Sequence, residues 1–245
     1  MLSGPRRRTG RRQFMCACCG GTFVAWALAS AHAADEAVVP VTQEPRHHVR
    51  FENEYLRIIE FVCVPGDQSL FHRHSMDTMV ITGPQRTKGR VEKLNDPKAA
   101  IVEDSAGNTF YRGYHDNPLI HRIANIDDSH TMVYFACEIN VARPGEFAAP
   151  NRKAVAGYAS LVDNARAQAW RLKLAPGESV PAITQSGPGV RVVIAGSQLR
   201  EAVQGAPDRD IFVSPGFYEY QPAGRTRAVT NPSNMPLELV EFEIK

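Results

Sequence analysis

The stretch Gly66–His74 reads GDQSLFHRH, in which a glycine and five further residues precede an alternating pair of histidines. Side chains alternate between the two faces of a β-strand, so His72 and His74 should project from the same face. A third histidine, His121, lies much later in the chain and is followed four positions on by Asn125. Three neutral imidazoles from two strands form a facial ligand set that holds a divalent transition metal and leaves other positions open.

The chain after residue 33 reads as two related halves. Gly66 and Gly177, each preceded by proline at the end of a strand-like run, are 111 positions apart, and His121 and Arg227 occupy matching positions 106 apart. The intervening runs are short and are bounded by Pro, Gly, Asn and Asp, a pattern typical of an all-β barrel or sandwich. Each half spans about a hundred residues, which is enough for a small β-domain with its own core.

The order glycine, His-x-His and then His-x-x-x-Asn resembles the two signature motifs of the cupin superfamily. The resemblance covers nearly all of the chain after residue 33 and implies two tandem cupin-type barrels of the double-stranded β-helix or jelly-roll kind, a bicupin. It predicts an N-terminal cupin barrel with a metal site at residues 34–143, a connector at 144–156 and a degenerate C-terminal cupin barrel at 157–245. The glutamate of the first motif is missing, because Thr78 and Met79 stand at its position.

The second half keeps the turns of the motifs and has lost their ligands. Arg227 replaces the histidine of the second motif, and Ile183-Thr184-Gln185 stands where His-x-His is expected. Arginine does not lose its proton at any useful pH and therefore cannot bind a metal. Two interpretations stay open: this half is structural, or Arg227 and Gln185 bind an anionic ligand.

The resemblance implies that His72, His74 and His121 are the metal ligands. Fe(II) is the favoured metal, because three-histidine cupins resembling this site include thiol and diketone dioxygenases; Ni, Mn, Cu and Zn are further candidates. Tyr114 and His115 precede the third ligand and are candidate catalytic residues, as a proton donor or as groups that orient a ligand. His47 and His48, before the first strand, receive no role.

Three functions fit this site. The leading one is a metal-dependent enzyme, a dioxygenase acting on a small anionic or enolisable substrate by an oxygenase-type reaction. The second is a non-catalytic periplasmic module that binds a small molecule or a metal. The third is an isomerase or lyase that uses the metal only as a Lewis acid. The cupin fold supports many chemistries, so the resemblance does not choose among them.

Residues 1–33 have the features of an export signal peptide. Five arginines open the segment, the moderately apolar stretch Phe14–Ala29 follows, and Ala31-His32-Ala33 supplies a small-x-small cleavage pattern. Thr9–Met15 (TGRRQFM) resembles the twin-arginine export signal of bacteria. The expected partners are therefore the twin-arginine export machinery and, after cleavage, a small-molecule substrate, with the mature protein soluble in the periplasm and free of the membrane.

The charge of the chain argues against nucleic acid as a partner. The whole sequence carries 28 basic and 26 acidic residues. Removing the five arginines of the signal leaves 23 basic against 26 acidic residues, a net charge of −3. A slightly acidic protein without a basic stripe lacks the electrostatic footprint of nucleic-acid binding. A homodimer is compatible with the sequence.

The cysteines divide between the signal and the mature chain. Cys16, Cys18 and Cys19 look like a cluster for a soft metal, but they lie in the segment that is expected to be removed. Cys63 and Cys137 remain, and an oxidising compartment permits a disulfide between them. The preferred interpretation is that both are buried as free thiols, since cysteine is among the most buried residue types.

Overall fold

The computed structural model describes residues 37–141, 145–148 and 152–245. The predicted signal at residues 1–33 and part of the connector at 144–156 lie outside the described residues. Apart from a 3₁₀ turn at Val41–Gln43, the described chain consists of strands and their connections, which confirms the predicted all-β fold. No helix in the described part of the chain is long and apolar enough to cross a membrane.

Ten strands build the first half, which we call the N-terminal barrel. Their bounds are β1 Val38–Pro40, β2 His47–Glu52, β3 Leu56–Cys63, β4 Phe71–His74, β5 Thr78–Thr82, β6 Thr87–Lys93, β7 Ala100–Asp104, β8 Thr109–Arg112, β9 Leu119–Asn125 and β10 Met132–Ile139. They form two five-stranded sheets with the orders β1-β4-β9-β6-β7 and β2-β3-β10-β5-β8. Phe61, Ile123 and Met132, from both sheets, pack together in the interior.

Nine strands build the second half, the C-terminal barrel. Their bounds are β11 Tyr158–Asp163, β12 Ala167–Leu174, β13 Ser179–Thr184, β14 Gly189–Ala195, β15 Gln198–Val203, β16 Arg209–Phe212, β17 Tyr218–Gln221, β18 Thr226–Thr230 and β19 Leu237–Ile244. The sheet orders are β11-β12-β19-β14-β17 and β13-β18-β15-β16, and they match those of the first half except that β1 has no counterpart among the described strands. The strands of each half thus group as the repeat predicts, while the predicted boundaries of the two barrels stay a prediction.

The pairing registers confirm the internal repeat in detail. His47 lies opposite Phe61 between β2 and β3, and 111 positions later Tyr158 lies opposite Leu172 between β11 and β12. The turn glycine of each half, Gly66 among them, has a φ of +78°, a left-handed conformation that a residue with a Cβ atom rarely adopts. Glycine is therefore required at these turns.

The asparagines of the second motif are structural. The side-chain amide of Asn125 donates to the carbonyl oxygens of Cys63 and His130, at 2.8 and 2.9 Å. In the C-terminal barrel the amide of Asn231 makes the same pair of bonds, to Leu174 and Met235. Each asparagine satisfies buried carbonyl groups and joins the ends of three strands. Motif residues that survive in both barrels are therefore those that hold the turns.

The largest hydrophobic cluster lies between the barrels. It joins the outer faces of the sheets that contain β10 and β19, including Ile81, Phe135, Val190 and Phe242. Because both faces of β5 are covered, all five of its residues are buried and its sequence, TMVIT, shows no exposed polar position. The cluster makes the two barrels one packed unit.

The two cysteines of the described chain are free and buried, which confirms the preferred interpretation. Cys63 lies opposite Met132 at one end of β10, and Cys137 lies five residues further along that strand. At about 3.3 Å per residue this is a distance of roughly 17 Å, far beyond the span of a disulfide.

Candidate metal centre

The three predicted ligands meet on two neighbouring strands. β4 pairs with β9 so that His72 lies directly opposite His121. His74 lies two residues along β4 and therefore on the same face as His72. The ring centroids of His72 and His121 are 4.6 Å apart, those of His72 and His74 5.0 Å, and those of His74 and His121 5.1 Å. The structure thus brings these three imidazoles together inside the N-terminal barrel.

The nitrogens of this cluster are buried and mostly lack hydrogen-bond partners. The Nδ1 of His72 lies 2.9 Å from the carbonyl oxygen of Leu70. Since a carbonyl oxygen only accepts, that nitrogen carries the hydrogen and the lone pair is on Nε2. The Nε2 of His72, the Nδ1 of His74 and both ring nitrogens of His121 have no partner among the described residues. Buried polar atoms are normally paired, so these orphaned nitrogens fit a site for a metal ion.

The electrostatics of the site keep the imidazoles neutral. Burial, followed by the neighbouring His47, lowers the pKa of His72 from its ordinary value of 6.5 to about 4. Burial, followed by the adjacent imidazoles, lowers the pKa of His74 to about 2. The same two causes lower the pKa of His121 to about 3. At neutral pH all three rings therefore offer lone pairs, the state that a metal requires.

A fourth histidine, His47, joins the cluster and was missed in the sequence. Its ring centroid is 4.4 Å from that of His72 and 6.1 Å from that of His74. One ligating atom each from His47, His72 and His74 lies within 4.8 Å of the others. The only sequence signal was the spacing Glu44-x-x-His47, which is too common to single out.

Glu44 anchors this fourth ring. Its fully buried carboxylate lies 2.6 Å from the Nδ1 of His47 and accepts hydrogen bonds from the backbone N–H groups of Arg46 and Leu70, at 2.9 and 3.1 Å. Burial alone would raise the pKa of Glu44, but the bonds from His47, Leu70 and Arg46 outweigh it and lower the pKa to about 2. Glu44 is therefore ionised at any physiological pH.

Of the two predicted catalytic residues, only Tyr114 contacts the cluster. Its buried ring stacks on that of His74 with centroids 4.9 Å apart and an interplanar angle of 26°. His115 is exposed, and among the described residues its one hydrogen bond is from its backbone N–H to Asp77, at 3.1 Å.

Residues near the missing glutamate do not replace it. The Asp77 carboxylate lies 3.0 Å from Arg166 of the C-terminal barrel, and the Thr78 hydroxyl donates to the carbonyl of Met76 at 2.7 Å. Met79 packs in the cluster between the barrels. The first motif therefore contributes only its two histidines to this site.

Comparisons with known proteins address the fold. No protein-family model matches the sequence, and no curated protein matches it. Among solved structures, AerE from Microcystis aeruginosa matches with a TM-score of 0.56 and 11% identity, over 82% of this chain and 98% of that one. A variant of oxalate decarboxylase from Bacillus subtilis, an enzyme with Mn(II) centres, matches with a TM-score of 0.54 and 11% identity, over 80% of this chain and 74% of that one.

A cupin 2 conserved barrel domain protein from Leptotrichia buccalis also matches, with a TM-score of 0.48 and 14% identity, over 81% of this chain and 88% of that one. Two barrels with similar sheet orders and a histidine cluster on β4 and β9 accompany the similarity to AerE and to oxalate decarboxylase. The chain has the bicupin fold.

The second barrel of this bicupin fills the equivalent place with ion pairs. Glu241 contacts three arginines: Arg152, Arg191 at 2.6 Å and Arg227 at 3.1 Å. Arg191 also pairs with Glu201 at 2.6 Å, while Arg152 pairs with Glu243 as well. The side chains of these three arginines and three glutamates are at most 4% exposed. Their formal charges cancel.

The two residues that were candidates for an anion site are part of this network. Arg227 donates to the side-chain oxygen of Gln185 at 3.0 Å, and Arg152 donates to the same oxygen at 3.0 Å. Burial alone would raise the pKa of Glu241, but Arg191, Arg152 and Arg227 hold it well below the ordinary value of 4.5. Because the charge of Arg227 is already neutralised and the side-chain oxygen of Gln185 already accepts from two arginines, these residues support the structural interpretation of this barrel.

Proposed function

We propose that this bicupin is a metal-dependent enzyme in which His72, His74 and His121 hold a divalent transition metal, with Fe(II) as the working metal. The reaction we propose is of the oxygenase type, on a small anionic or enolisable substrate. A dioxygenase transfers both atoms of one O₂ molecule to its substrate and therefore needs no further reductant. When bound, the metal supplies Lewis acidity toward substrate oxygens and, as Fe(II), electrons for dioxygen.

The observation that carries the proposal is the set of buried imidazole nitrogens without partners. An unpaired buried polar atom costs about 1–3 kcal/mol, and this cluster contains four such nitrogens on three rings. A core histidine without a ligand normally finds a hydrogen-bond partner. Coordination to a metal would use one nitrogen of each ring and compensate for the desolvation of the cluster.

The charges of the site favour an anionic substrate. The three predicted ligands are neutral, and no carboxylate follows them in the first motif, so a bound dication keeps most of its positive charge. Carboxylates, enolates and hydroxide are the ligands that such a centre attracts. The absence of a ligating carboxylate distinguishes this site from one in which a glutamate ligand reduces the net charge of the metal centre.

We propose that Tyr114 handles a proton beside the site. Burial raises the pKa of its phenol above the ordinary value of 10.0, so the hydroxyl stays protonated at neutral pH. Its ring covers one face of His74 and excludes water from that side. We assign it the role of proton donor to a substrate held next to His74, and we assign no chemical role to the exposed His115.

Elemental analysis of the purified full-length chain tests the metal site. We expect about one equivalent of metal per chain, and its loss in a His72→Ala/His74→Ala variant. The exposed His130 gives a matched control, since His130→Ala leaves the cluster intact. Metal held by Cys16, Cys18 and Cys19 would remain in the histidine variant and is distinguished in that way. Equal metal contents in the variant and the parent protein would refute the site.

Oxygen consumption then separates the three functions. With the metal-loaded protein and a panel of small carboxylates, thiols and β-diketones, the proposal predicts oxygen uptake that depends on His72 and His74. Substrate turnover without oxygen uptake would indicate an isomerase or lyase. Binding without turnover of any panel member would indicate a module that binds a small molecule.

We also propose that the protein is exported to the periplasm by the twin-arginine route. The support is the sequence of residues 1–33 with its arginine pair Arg11 and Arg12. Cell fractionation of a bacterial host should find processed protein in the periplasm and an Arg11→Lys/Arg12→Lys variant retained unprocessed in the cytoplasm. Export of that variant at the rate of the parent protein would contradict the route.

A further inference from the structure

His47 lies beside the predicted ligands but enters the site from the other sheet. It opens β2, whereas His72 and His74 lie on β4 and His121 on β9. Its side chain is 5% exposed, and its ligating atom falls within 4.8 Å of those of His72 and His74. His47, His72 and His74 therefore form one group of ligating atoms, and His121 contacts this group through the proximity of its ring to those of His72 and His74.

The bond to Glu44 orients the ring of His47. A carboxylate accepts hydrogen bonds, so the Nδ1 of His47, at 2.6 Å from Glu44, is the nitrogen that carries the hydrogen. The lone pair is then on Nε2, on the opposite side of the ring. Metal-binding histidines almost always donate their other ring nitrogen in this way to a carboxylate or a carbonyl oxygen. His72 shows the same pattern with the carbonyl of Leu70.

The repeat gives independent support that this position points to the centre of the barrel. Tyr158 occupies the position of His47 in the C-terminal barrel, 111 residues later and in the same register. Its hydroxyl donates to Glu241 at 3.1 Å, in the middle of the buried ion-pair network. Side chains at this position therefore reach the centre of both barrels.

On these grounds, and resting on the proposed metal site, we propose that His47 is a fourth protein ligand and that Glu44 is the residue that positions it. His47 would supply a fourth ligand in a chain that lacks the glutamate of the first motif. The centre would then have four neutral ligands. The Glu44 carboxylate would not bind the metal but would influence it through its hydrogen bond to His47. Imidazole suits iron, copper, nickel and zinc, whereas carboxylate oxygens suit manganese, so this ligand set disfavours Mn(II) relative to a site with a bound glutamate.

Metal titration of the full-length chain tests this assignment. We compare the parent protein with His47→Ala, His47→Gln and Glu44→Gln, using Co(II) followed by its visible absorption. The adjacent, exposed His48 gives the matched control His48→Ala. We expect Co(II) affinity to fall at least tenfold in both His47 variants, to fall about 10-fold to 100-fold in Glu44→Gln, and to stay unchanged in His48→Ala. Circular dichroism establishes that each variant is folded, and His47→Gln serves if His47→Ala is not.

Pulsed electron paramagnetic resonance of the Cu(II)-loaded protein supplies a second readout. The number of coupled imidazoles should be four in the parent protein and three in His47→Gln. If His47→Gln binds Co(II) with the parent affinity while His72→Ala/His74→Ala does not bind, the role of His47 is refuted and the proposed metal site stands. If the parent protein binds neither ion at the cluster, both proposals fail.

Discussion

The two barrels share their strand order and turns and differ in what fills their centres. In the N-terminal barrel the centre holds neutral imidazoles with unpaired nitrogens, and in the C-terminal barrel it holds three arginines and three glutamates in contact with one another. The register locates the cause of this difference. Arg191 lies opposite Glu241, and the corresponding pair in the first barrel is Val80 opposite Ala136. Short apolar side chains at these positions leave space for the histidines, and long charged side chains occupy it.

This comparison shows that the C-terminal barrel differs from the N-terminal one at the neighbouring interior positions as well as at the ligand positions. Replacing histidines by Ile183, Gln185 and Arg227 alone would have left buried donors without acceptors. Glu201, on the strand β15 beside β18, supplies one acceptor, and its counterpart on β6 is Val91. In the degenerate barrel the buried side chains therefore pair with one another. The same arrangement of strands holds these ion pairs in place of a metal site.

The largest predicted effect comes from breaking the ion-pair network. Glu241→Gln should lower the free energy of unfolding by about 3–5 kcal/mol, because it leaves the buried Arg152, Arg191 and Arg227 with an uncompensated charge. Glu238, on the same strand but paired near the surface with Arg171 and Lys173, gives the matched control. Glu238→Gln should cost less than about 1 kcal/mol.

Urea denaturation measures both values. His74→Gln in the N-terminal barrel, which introduces the residue found at the equivalent position of the other barrel, should cost less than Glu241→Gln because it leaves no buried charge behind. Equal effects of Glu241→Gln and Glu238→Gln would contradict the view that the second centre is held together by its charges.

The shared face of the first two histidines of the cluster was predictable from the sequence, because it depends only on residues close together in the chain. His72 and His74 share a face through strand alternation alone, and the turn glycine of each half must be glycine for its φ. His47 could not be read in this way, because its place depends on how β2 pairs with β3. Nothing in the sequence around it specifies that register.

The ion-pair network was not predictable for a different reason. The run Leu237–Ile244 (LELVEFEI) has Glu241 and Glu243 at alternating positions, a pattern that normally indicates a solvent-exposed face. Glu241 and Glu243 nevertheless point into the barrel, because arginines from three distant segments neutralise them. Neutralisation of charges by residues from distant segments cannot be predicted from the local periodicity of a sequence.

A second prediction is that the pH dependence of stability distinguishes the two barrels. The pKa values of His72, His74 and His121 lie below 6.5 in the folded protein, so the unfolded chain binds more protons and stability falls as the pH drops below 6.5. Each imidazole contributes up to about 1.4 kcal/mol per pH unit in this range. The lowered pKa of Glu241 acts only as the pH falls below 4.5.

Unfolding of metal-free protein between pH 6.5 and pH 4.5 therefore reports on the first barrel. We expect the slope of stability against pH to be smaller in His72→Gln/His74→Gln than in the parent protein. Glu241→Gln should keep the parent slope in this interval despite its lower stability. An unchanged slope in the histidine variant would mean that these rings do not titrate as the structure indicates.

A third prediction, with a smaller effect, concerns an ion pair between the two barrels. Asp77, three residues after His74, pairs with Arg166 of the C-terminal barrel at 3.0 Å, and both side chains are 13% exposed. Asp77 also accepts the backbone N–H of His115 and so restrains the segment that carries Tyr114. A double-mutant cycle of Asp77→Asn and Arg166→Ala should give a coupling energy of about 1 kcal/mol. A coupling energy near zero would show that packing alone holds the barrels together at this point.

The smallest effect is expected from reduction of the thiols. A native disulfide typically contributes about 2–5 kcal/mol, and its removal would appear as a large loss of stability on adding a reductant. Cys63 packs inside the first barrel and Cys137 in the cluster between the barrels, and both are free. Dithiothreitol should therefore leave the free energy of unfolding unchanged, and peptide mapping under non-reducing conditions should recover the two cysteines in separate peptides. A linked peptide would require β10 to leave its observed register, and the pairing of the two barrels would have to be reconsidered with it.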